Sequence, residues 1–313
     1  MSARPLAVTG ATGFVGQRLL ERAATRGLEL VCLTRRLQPE REGVSWVQGD
    51  LHDEGALARL CERADSVVHI AGVISAPDAA GFEHGNVAGT KNLIAAAEGA
   101  GVGRFVHVSS LAAREPSLSL YGASKARSES AVRTSRLDQQ IVRPPAVYGP
   151  GDRETLELFQ FAQRGFVPLP PKGRLSLIHA DDLADLLLDL AAGKGRAGLT
   201  LEPDDNRPGG WSHEEFAQAI GKALGREHVT TLSMPRTMVR LGAQLDKLVR
   251  GDGAKLTPDR AAYFCHPDWT VAEGHRPEPS LWQPAIPTER GLADTARWYR
   301  EQGWLAGDKA LEK

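Results

Sequence analysis

At 313 residues the chain can hold one large α/β unit plus a smaller domain, with a sizeable buried core. Lys plus Arg number 38 against 39 Asp plus Glu, so no global charge points to nucleic acid or to an anionic membrane, and neither partner is expected. The three cysteines, Cys32, Cys61 and Cys265, are scattered, lack metal-ligand spacing and suggest a reducing, cytoplasmic setting; no metal site is expected. The N-terminus carries one Arg and a short apolar run, too little for a signal peptide, and no stretch of about 18 apolar residues is present to span a bilayer.

The first element is an apolar run, Leu6 to Val8, that reads as a buried strand. It leads into Val8-Thr9-Gly10-Ala11-Thr12-Gly13-Phe14-Val15-Gly16, three glycines spaced Gly-x-x-Gly-x-x-Gly. Phe14, Val15, Leu19, Leu20 and Ala23 then recur at helical spacing. Strand, glycine turn and helix together form the layout of a dinucleotide site. Glycine lets the backbone approach a pyrophosphate, and the helix N-terminus offers free N–H groups to that anion. An ordinary tight turn is the competing reading of the triplet alone.

Leu28 to Thr34 reads as a second strand. In a Rossmann unit an acidic residue at this strand's end accepts from the adenosine ribose and favours NAD. Here the strand ends Leu33-Thr34-Arg35-Arg36, and arginine suits a 2′-phosphate by charge-assisted, bidentate pairing. NADP(H) is therefore expected, with NAD(H) as the alternative; a solvated loop is the plain reading of the two arginines. Val44 to Gln48 is a third strand, followed by Gly49-Asp50-Leu51. Asp50 either accepts from the adenine amino group or caps a helix, for which Asp53 is the better candidate.

Ser66 to Ile70 is a fourth strand that enters Ala71-Gly72-Val73, small enough at its exit for a dinucleotide to lie against the backbone. A helix begins near Asn86, and Arg104 to Val108 is a fifth strand ending at Ser109-Ser110. Repeated strand–helix alternation predicts an α/β fold with a doubly wound parallel sheet. Tyr121-Gly122-Ala123-Ser124-Lys125 follows eleven residues after Ser110. Tyr121 and Lys125 stand at i and i+4, on one helical face. A lysine ammonium there is expected to lower the phenol's pKa from its usual value near 10, and the Ser110 hydroxyl can hold a substrate oxygen beside it.

In this order the motifs resemble the extended short-chain dehydrogenase/reductases, the NAD-dependent epimerase/dehydratase family. That group includes nucleotide-sugar epimerases and dehydratases, dihydroflavonol reductases and 3β-hydroxysteroid dehydrogenases, and the last two branches are the more similar. The matching residues are Thr9 to Gly16, Gly49-Asp50-Leu51, Ala71-Gly72, Asn86 with Gly89-Thr90, Ser109-Ser110, Tyr121 with Lys125, Arg143 to Gly151, and Ile178 to Ala184. The resemblance implies a catalytic triad of Ser110, Tyr121 and Lys125, with Lys125 also on the nicotinamide ribose. It implies cofactor contacts along Gly10, Thr12, Gly13, Phe14, Val15 and Gly16, and at Ala71, Gly72, Val73 and Ser109. Asp50 and Leu51 would contact adenine, and Pro144 would flank the nicotinamide. Many members carry Asp where Thr34 or Arg35 stands, which again counts against NAD(H) and leaves Arg35 and Arg36 as the candidates for the 2′-phosphate. A homodimer through the helices beginning near Asn86 and Tyr121 is the family expectation.

A sixth strand, Gln140 to Val142, runs into Pro144 and Pro145, which forbid helix. Beyond Gly149 a smaller, mixed substrate domain is expected over 149–196 and 204–313, with 1–148 and a returning strand near 197–203 forming the Rossmann domain. Leu156 to Phe161 reads as a helix, Arg164 to Gly173 as a loop and Leu175 to His179 as a strand. Asp181 and Asp182, beside His179, read as caps of a helix over Leu183 to Leu190 rather than as metal ligands. Ser212 and Glu215 form a capping box. Met238, Leu241, Leu245 and Leu248 fall on one face of a basic amphipathic helix, which reads as a lid over a core or pocket before it reads as a membrane-surface helix. Five of the six Trp lie after residue 210, where domain packing is the expected use and an apolar substrate pocket the alternative.

Three functions compete. The favoured one is an oxidoreductase that interconverts a carbonyl and a secondary alcohol of a small, apolar or ring-containing substrate held between sheet and C-terminal domain. The second is a nucleotide-sugar epimerase or dehydratase that retains NAD. The third is a non-catalytic NADP-sensing or assembly protein, against which the presence of both Tyr121 and Lys125 counts.

Overall fold

The computed structural model describes residues 4–251 and 256–306. The chain divides into two compact units: residues 1–144, 183–203 and 274–283 form the first, and 145–182, 204–273 and 284–313 the second. The first unit thus takes in 183–196 as well as the returning strand.

The first unit is largely strand–helix alternation, with its second and third strands joined by a loop. Its elements are β1 (Leu6–Thr9), α1 (Phe14–Thr25), β2 (Leu30–Thr34), β3 (Val44–Gln48), α2 (Glu54–Cys61), β4 (Ser66–His69), the single turn α3 (Ala79–Phe82), α4 (Gly89–Gly99), β5 (Arg104–Val108), α5 (Leu120–Arg133) and β6 (Asp138–Val142). A seventh strand, Thr200–Leu201, returns beside β6. All pairings are parallel, and the sheet order is β3-β2-β1-β4-β5-β6 followed by Thr200–Leu201. This is the doubly wound Rossmann arrangement, with its reversal between β1 and β4, the place where such sheets bind ligands.

Two-sided burial explains the strand composition. β1 is Leu-Ala-Val-Thr and β2 is Leu-Val-Cys-Leu-Thr, every residue buried. One face carries Ala7, Val31, Val67 and Phe105 against Leu57, Leu60, Leu93 and Val132 of α2, α4 and α5. α1 buries Leu19, Leu20 and Ala23. Arg22 makes a bidentate pair with Asp185 at 2.9 and 2.7 Å, and Arg26 reaches Asp185 and Asp189, so Leu183–Ala191 of the helix Ala180–Ala191 is tied to α1.

That helix corrects one expectation. It begins at Ala180, so Asp181 and Asp182 lie inside its first turn, where the helix dipole favours anions, rather than before it as caps. The Asp182 carboxylate accepts from the backbone N–H groups of Ala285 and Ile286 at 2.9 and 3.1 Å. Asp53, by contrast, is the N-cap of α2, accepting from Ala56 N at 2.9 Å.

The second unit packs Tyr148, Phe159, Leu177, Trp211, Phe216, Ile220 and Tyr299 into its own core. Strand pairs frame it: Ala146–Tyr148 with Leu177–His179, and Trp211–Ser212 and Asp268–Trp269 on either side of Arg174–Leu175. Within the segment expected to be a loop, Phe166–Leu169 is a strand paired with Thr230–Ser233. Its Pro168 sits in a two-stranded ribbon, where a missing N–H is tolerated at the edge. The capping box on the helix His213–Ala223 is present: Glu215 N donates to Ser212 Oγ, and Ser212 N to Glu215 Oε2. Trp211 and Trp269 are buried in this unit and Trp298 and Trp304 pack against its core, which is packing rather than pocket lining.

Behind the sheet's ligand edge, Glu129 of α5 is 1% exposed and takes Arg143 on both carboxylate oxygens, at 2.8 and 2.7 Å. Ser109 and Arg133 also donate to it, and Arg143 and Arg114 share Glu202. Burial pushes the Glu129 carboxyl up, but hydrogen bonds from Arg143 and Ser109, with the charges of Arg143 and Arg133, outweigh this and hold it below its ordinary range. Replacing Glu129 by Ala strands buried cations. The expected loss is about 3–5 kcal/mol of folding stability, measured by denaturant unfolding; a loss under about 1 kcal/mol, the scale of an exposed pair, would show the cluster to be of no structural weight.

Candidate active site

In a parallel sheet every strand ends on the same edge, so six loops meet there: Gly10 after β1, Arg35 after β2, Asp50 after β3, Ala71 after β4, Ser109-Ser110 after β5 and Pro144 after β6. The sequence-derived positions are brought to one edge of one unit.

The glycine turn is close-packed. Gly10 has φ +79°, and a Cβ on it would stand 2.6 Å from Ala71 N. A Cβ on Gly16 would stand 2.1 Å from Gly10 O. Gly13 N donates to Gly10 O at 3.0 Å, and Gly13 is the N-cap of α1 with no side-chain cap. Thr12 and Gly13 are exposed, Phe14 and Val15 half-buried, and the first turn of α1 carries no acid. A close backbone approach ahead of an uncapped helix N-terminus fits the pyrophosphate of a dinucleotide.

Gly49 N donates to Thr34 O at 2.9 Å, so the Arg35-Arg36 and Asp50-Leu51 loops leave neighbouring strand ends. Both arginines are exposed, and among the described residues neither guanidinium has an ion-pair or hydrogen-bond partner. Asp50 turns onto its own loop, accepting from His52 N at 2.8 Å. Leu51 packs against Gly89, where a Cβ would meet its Cδ1 at 2.8 Å.

After β4, Ala71, Gly72 and Val73 are fixed by a residue the sequence reading gave no role in the site. Asn86 lies in a π-helical turn, Glu83–Ala88, that runs into α4. Its side chain accepts from Val73 N at 2.7 Å and donates to Val73 O at 3.0 Å and to Ser124 Oγ at 2.9 Å. A buried chain continues from there. The Thr90 hydroxyl donates to Asn86 O, so it accepts from His69 Nε2 at 2.9 Å, and His69 Nδ1 accepts from Thr9 at 2.7 Å. Burial, with the charge of Lys125, pushes the imidazole down to about 3, so His69 is neutral.

The triad candidates sit together. The Ser110 hydroxyl hydrogen-bonds the Tyr121 phenol and also accepts from Ala112 N at 3.2 Å. Lys125, one turn along α5 from Tyr121, is 5% exposed and donates to Val108 O at 2.7 Å. Its Nζ stands 3.8 Å from the position a Cβ on Gly72 would take. A surface Tyr–Lys pair is thereby excluded. Burial pushes the ammonium down to about 8, while Glu129 pulls it up. The Tyr121 phenol departs from expectation. It is raised, because burial outweighs the Ser110 hydrogen bond, and the Lys125 ammonium is held on a backbone carbonyl instead of on the phenol. Ser109 donates to Glu129 at 2.6 Å, and the buried Pro144 accepts from Leu111 N through its carbonyl at 3.1 Å. Glu129 was also without a role in the sequence reading, although it stands four residues past Lys125 on the same face of α5.

Comparison with known proteins agrees with this geometry. The sequence model of the NAD dependent epimerase/dehydratase family matches residues 6–198. A protein of Caulobacter vibrioides named ceramide reductase is 37% identical over 312 residues, covering 96% of both chains. A 2-alkyl-3-oxoalkanoate reductase of Stenotrophomonas maltophilia is 29% identical over 323 residues, covering 91% of this chain and 96% of its own. Among solved structures, the Bordetella bronchiseptica enzyme WbmG in complex with NAD matches with a TM-score of 0.74 at 20% identity, covering 97% of this chain and 96% of that one, and shares the fold. A family match over most of the first unit, with its motifs gathered at the ligand edge, shows that the chain belongs to the NAD dependent epimerase/dehydratase family and is an NAD(P)-dependent oxidoreductase of the short-chain dehydrogenase/reductase type.

Proposed function

We propose that the protein is an NADP(H)-dependent reductase that converts an oxo group on an alkyl-chain substrate to a secondary alcohol. The observation that carries this reading is the Ser110–Tyr121 hydrogen bond with Lys125 buried one helical turn away. Two relatives that span nearly the whole chain are named as reductases, one acting on a lipid and one on an oxo acid bearing alkyl chains, which supports the substrate class.

The residues divide the work as follows. The glycine turn and the N-terminus of α1 hold the pyrophosphate. Arg35 and Arg36 take the 2′-phosphate, and Asp50 and Leu51 bound the adenine. Ala71, Gly72 and Val73 are held in place by Asn86 to give a flat wall, Ser109 and Pro144 bound the nicotinamide end, and Lys125 holds the ribose. When bound there, the reduced nicotinamide supplies the hydride. Ser110 and Tyr121 both hydrogen-bond the substrate oxygen, and Tyr121 donates its proton as negative charge develops on that oxygen. A phenol raised by burial stays protonated at neutral pH and so remains a donor. The Lys125 ammonium then stabilises the phenolate.

Native mass spectrometry of the freshly purified protein tests cofactor handling. An empty site that fills with NADPH ahead of NADH is expected; a stoichiometric retained NAD would establish the epimerase or dehydratase reading instead. Arg35→Ala should weaken NADPH about tenfold or more and leave NADH unchanged, since a charge-assisted pair to phosphate is lost; equal effects on both cofactors would remove the 2′-phosphate role. Tyr121→Phe should lower kcat about 10²–10⁴-fold with cofactor affinity retained; near-normal turnover on an identified substrate would refute the mechanism.

Reduction requires both the phenol and the ammonium protonated. The Lys125 ammonium, pushed down to about 8, is the first to lose its proton as pH rises. The kcat/KM for reduction should therefore be level below that value and fall above it. Lys125→Arg should carry the break to higher pH even if overall rates drop, and a break unmoved by that change would assign it to another group.

A further inference from the structure

The start of α4 serves two strand exits. Asn86, just ahead of the helix, and Thr90 hold the exit of β4, through Val73 and His69. Asn92, in the first turn of α4, reaches the loop that follows β3. Its Nδ2 donates to Leu51 O at 3.0 Å and to His52 Nδ1 at 3.3 Å. An amide nitrogen carries two hydrogens and accepts nothing, so both hydrogens are used and the imidazole nitrogen is the acceptor. Gly89, in the same turn, makes room for the Leu51 side chain: a Cβ on it would stand 2.8 Å from Leu51 Cδ1 and 3.0 Å from Leu51 Cβ.

A ring contact holds the same loop from outside. His52 and His84 are stacked, with ring centroids 3.7 Å apart and planes 6° from parallel. His84 belongs to the π-helical turn Glu83–Ala88 that also carries Asn86. His52 in turn fixes Asp50, whose carboxylate accepts from His52 N at 2.8 Å. The ends of the loop are anchored separately, Gly49 N on Thr34 O at 2.9 Å and Asp53 as the cap of α2. The stretch between those anchors, Asp50-Leu51-His52, is therefore set by α4 and the π-helical turn. Asn92 holds the Leu51 backbone, Gly89 admits the Leu51 side chain, and the stack holds the His52 ring that is joined through its own backbone to Asp50.

We propose that Asn92 is a positioning residue for the adenine end of the cofactor site, and that His84, stacked on His52, holds the same wall from its outer side. This rests on the reading that Asp50 and Leu51 bound the adenine. The effect falls on cofactor affinity and not on proton transfer at Tyr121. The adenosine is common to both nicotinamide dinucleotides, so NADPH and NADH are affected alike, in contrast to the loss of Arg35.

The test is calorimetric titration of the full chain with NADPH, NADH and ADP-ribose, the last of which has the adenine end and no nicotinamide. Asn92→Ala should weaken all three by the same factor, about fivefold or more, because two hydrogen bonds to the loop are lost. Alanine is the strongest helix former, so α4 itself persists. His84→Ala should weaken all three about threefold, and His84→Phe, which keeps a ring to stack, should restore them. Far-ultraviolet circular dichroism and denaturant unfolding report that the variants are folded. If Asn92→Ala does not fold, the two His84 variants carry the test, and equal affinities in both and in the wild type overturn the proposal. Unchanged affinities in a folded Asn92→Ala overturn it and leave Asn92 as a tie between α4 and the loop. Weakened dinucleotides with unchanged ADP-ribose also overturn it, since the effect then lies at the nicotinamide end. Leu51→Ala separates the proposal from the reading beneath it. If Leu51→Ala weakens all three ligands and Asn92→Ala does not, the positioning role fails and the adenine contact stands; if Leu51→Ala weakens none, the adenine contact fails and the proposal with it.

Discussion

The site depends on the burial of one cation. Lys125 is almost wholly enclosed, and an ammonium removed from water must recover its hydration from fixed partners. The Val108 carbonyl is the partner in contact, at 2.7 Å, and the Glu129 carboxylate supplies the longer-range attraction. These two demands set much of the unit. β5 must end where its last carbonyl meets α5, which places Ser109 and Ser110 next to that helix. Glu129 must in turn be held ionised in the interior, which Arg143, at the exit of β6, does through Nε and Nη2 on one edge of its guanidinium. Strand ends, helix position and catalytic candidates are thus consequences of the same electrostatic requirement.

A second constraint is steric. The backbone leaving β1 passes so close to the backbone leaving β4 that no side chain fits at Gly10, and the turn folds back so tightly that none fits at Gly16. The Thr9–His69–Thr90–Asn86 chain fixes the same two exits by hydrogen bonds. Its histidine contributes through its two nitrogens and not through charge, since burial keeps it neutral. The ligand edge is therefore built rigid at the point where the strand order reverses, and the π-helical turn that carries Asn86 is the local irregularity that allows one side chain to satisfy both polar groups of Val73.

What was legible in the sequence follows from range. The glycine spacing, the strand positions of the first unit, Tyr121 with Lys125, the Asp53 cap and the Ser212–Glu215 box all depend on residues a few positions apart, so periodicity and spacing reveal them. The Glu129–Arg143–Glu202–Arg114 cluster joins positions up to 88 apart and leaves no local trace. The strand Phe166–Leu169 was hidden by Pro168, a residue that a two-stranded ribbon tolerates. Asp182 reads as a cap because its true partners, the Ala285 and Ile286 backbones, lie more than a hundred residues away. The Tyr121 phenol was expected to be lowered because adjacency on a helix face shows that Lys125 is near. It does not show that the ammonium is committed to a carbonyl and that desolvation of the half-buried Tyr121 outweighs its hydrogen bond from Ser110. Periodicity shows that the Arg236–Arg250 helix is amphipathic, but only tertiary packing decides that Val239 and Ala243 turn inward while Met238, Leu241, Leu245 and Leu248 stay exposed.

The cofactor edge makes the same point through an interaction that the protein declines to make. Several arginines elsewhere in the first unit are paired with carboxylates: Arg22 and Arg26 to Asp185 and Asp189, Arg104 to Asp138, Arg114 and Arg143 to Glu202. Arg35 and Arg36 are not, although Asp50 leaves the adjoining strand end. Its carboxylate is occupied by the His52 N–H in its own loop. The result is uncompensated positive charge beside the strand whose glycine turn already presents a helix N-terminus. Two independent sources of positive potential, one from side chains and one from the backbone dipole, then face the same edge of the sheet. A dinucleotide bearing only its pyrophosphate would use the second; one bearing an additional phosphate on the adenosine ribose would use both.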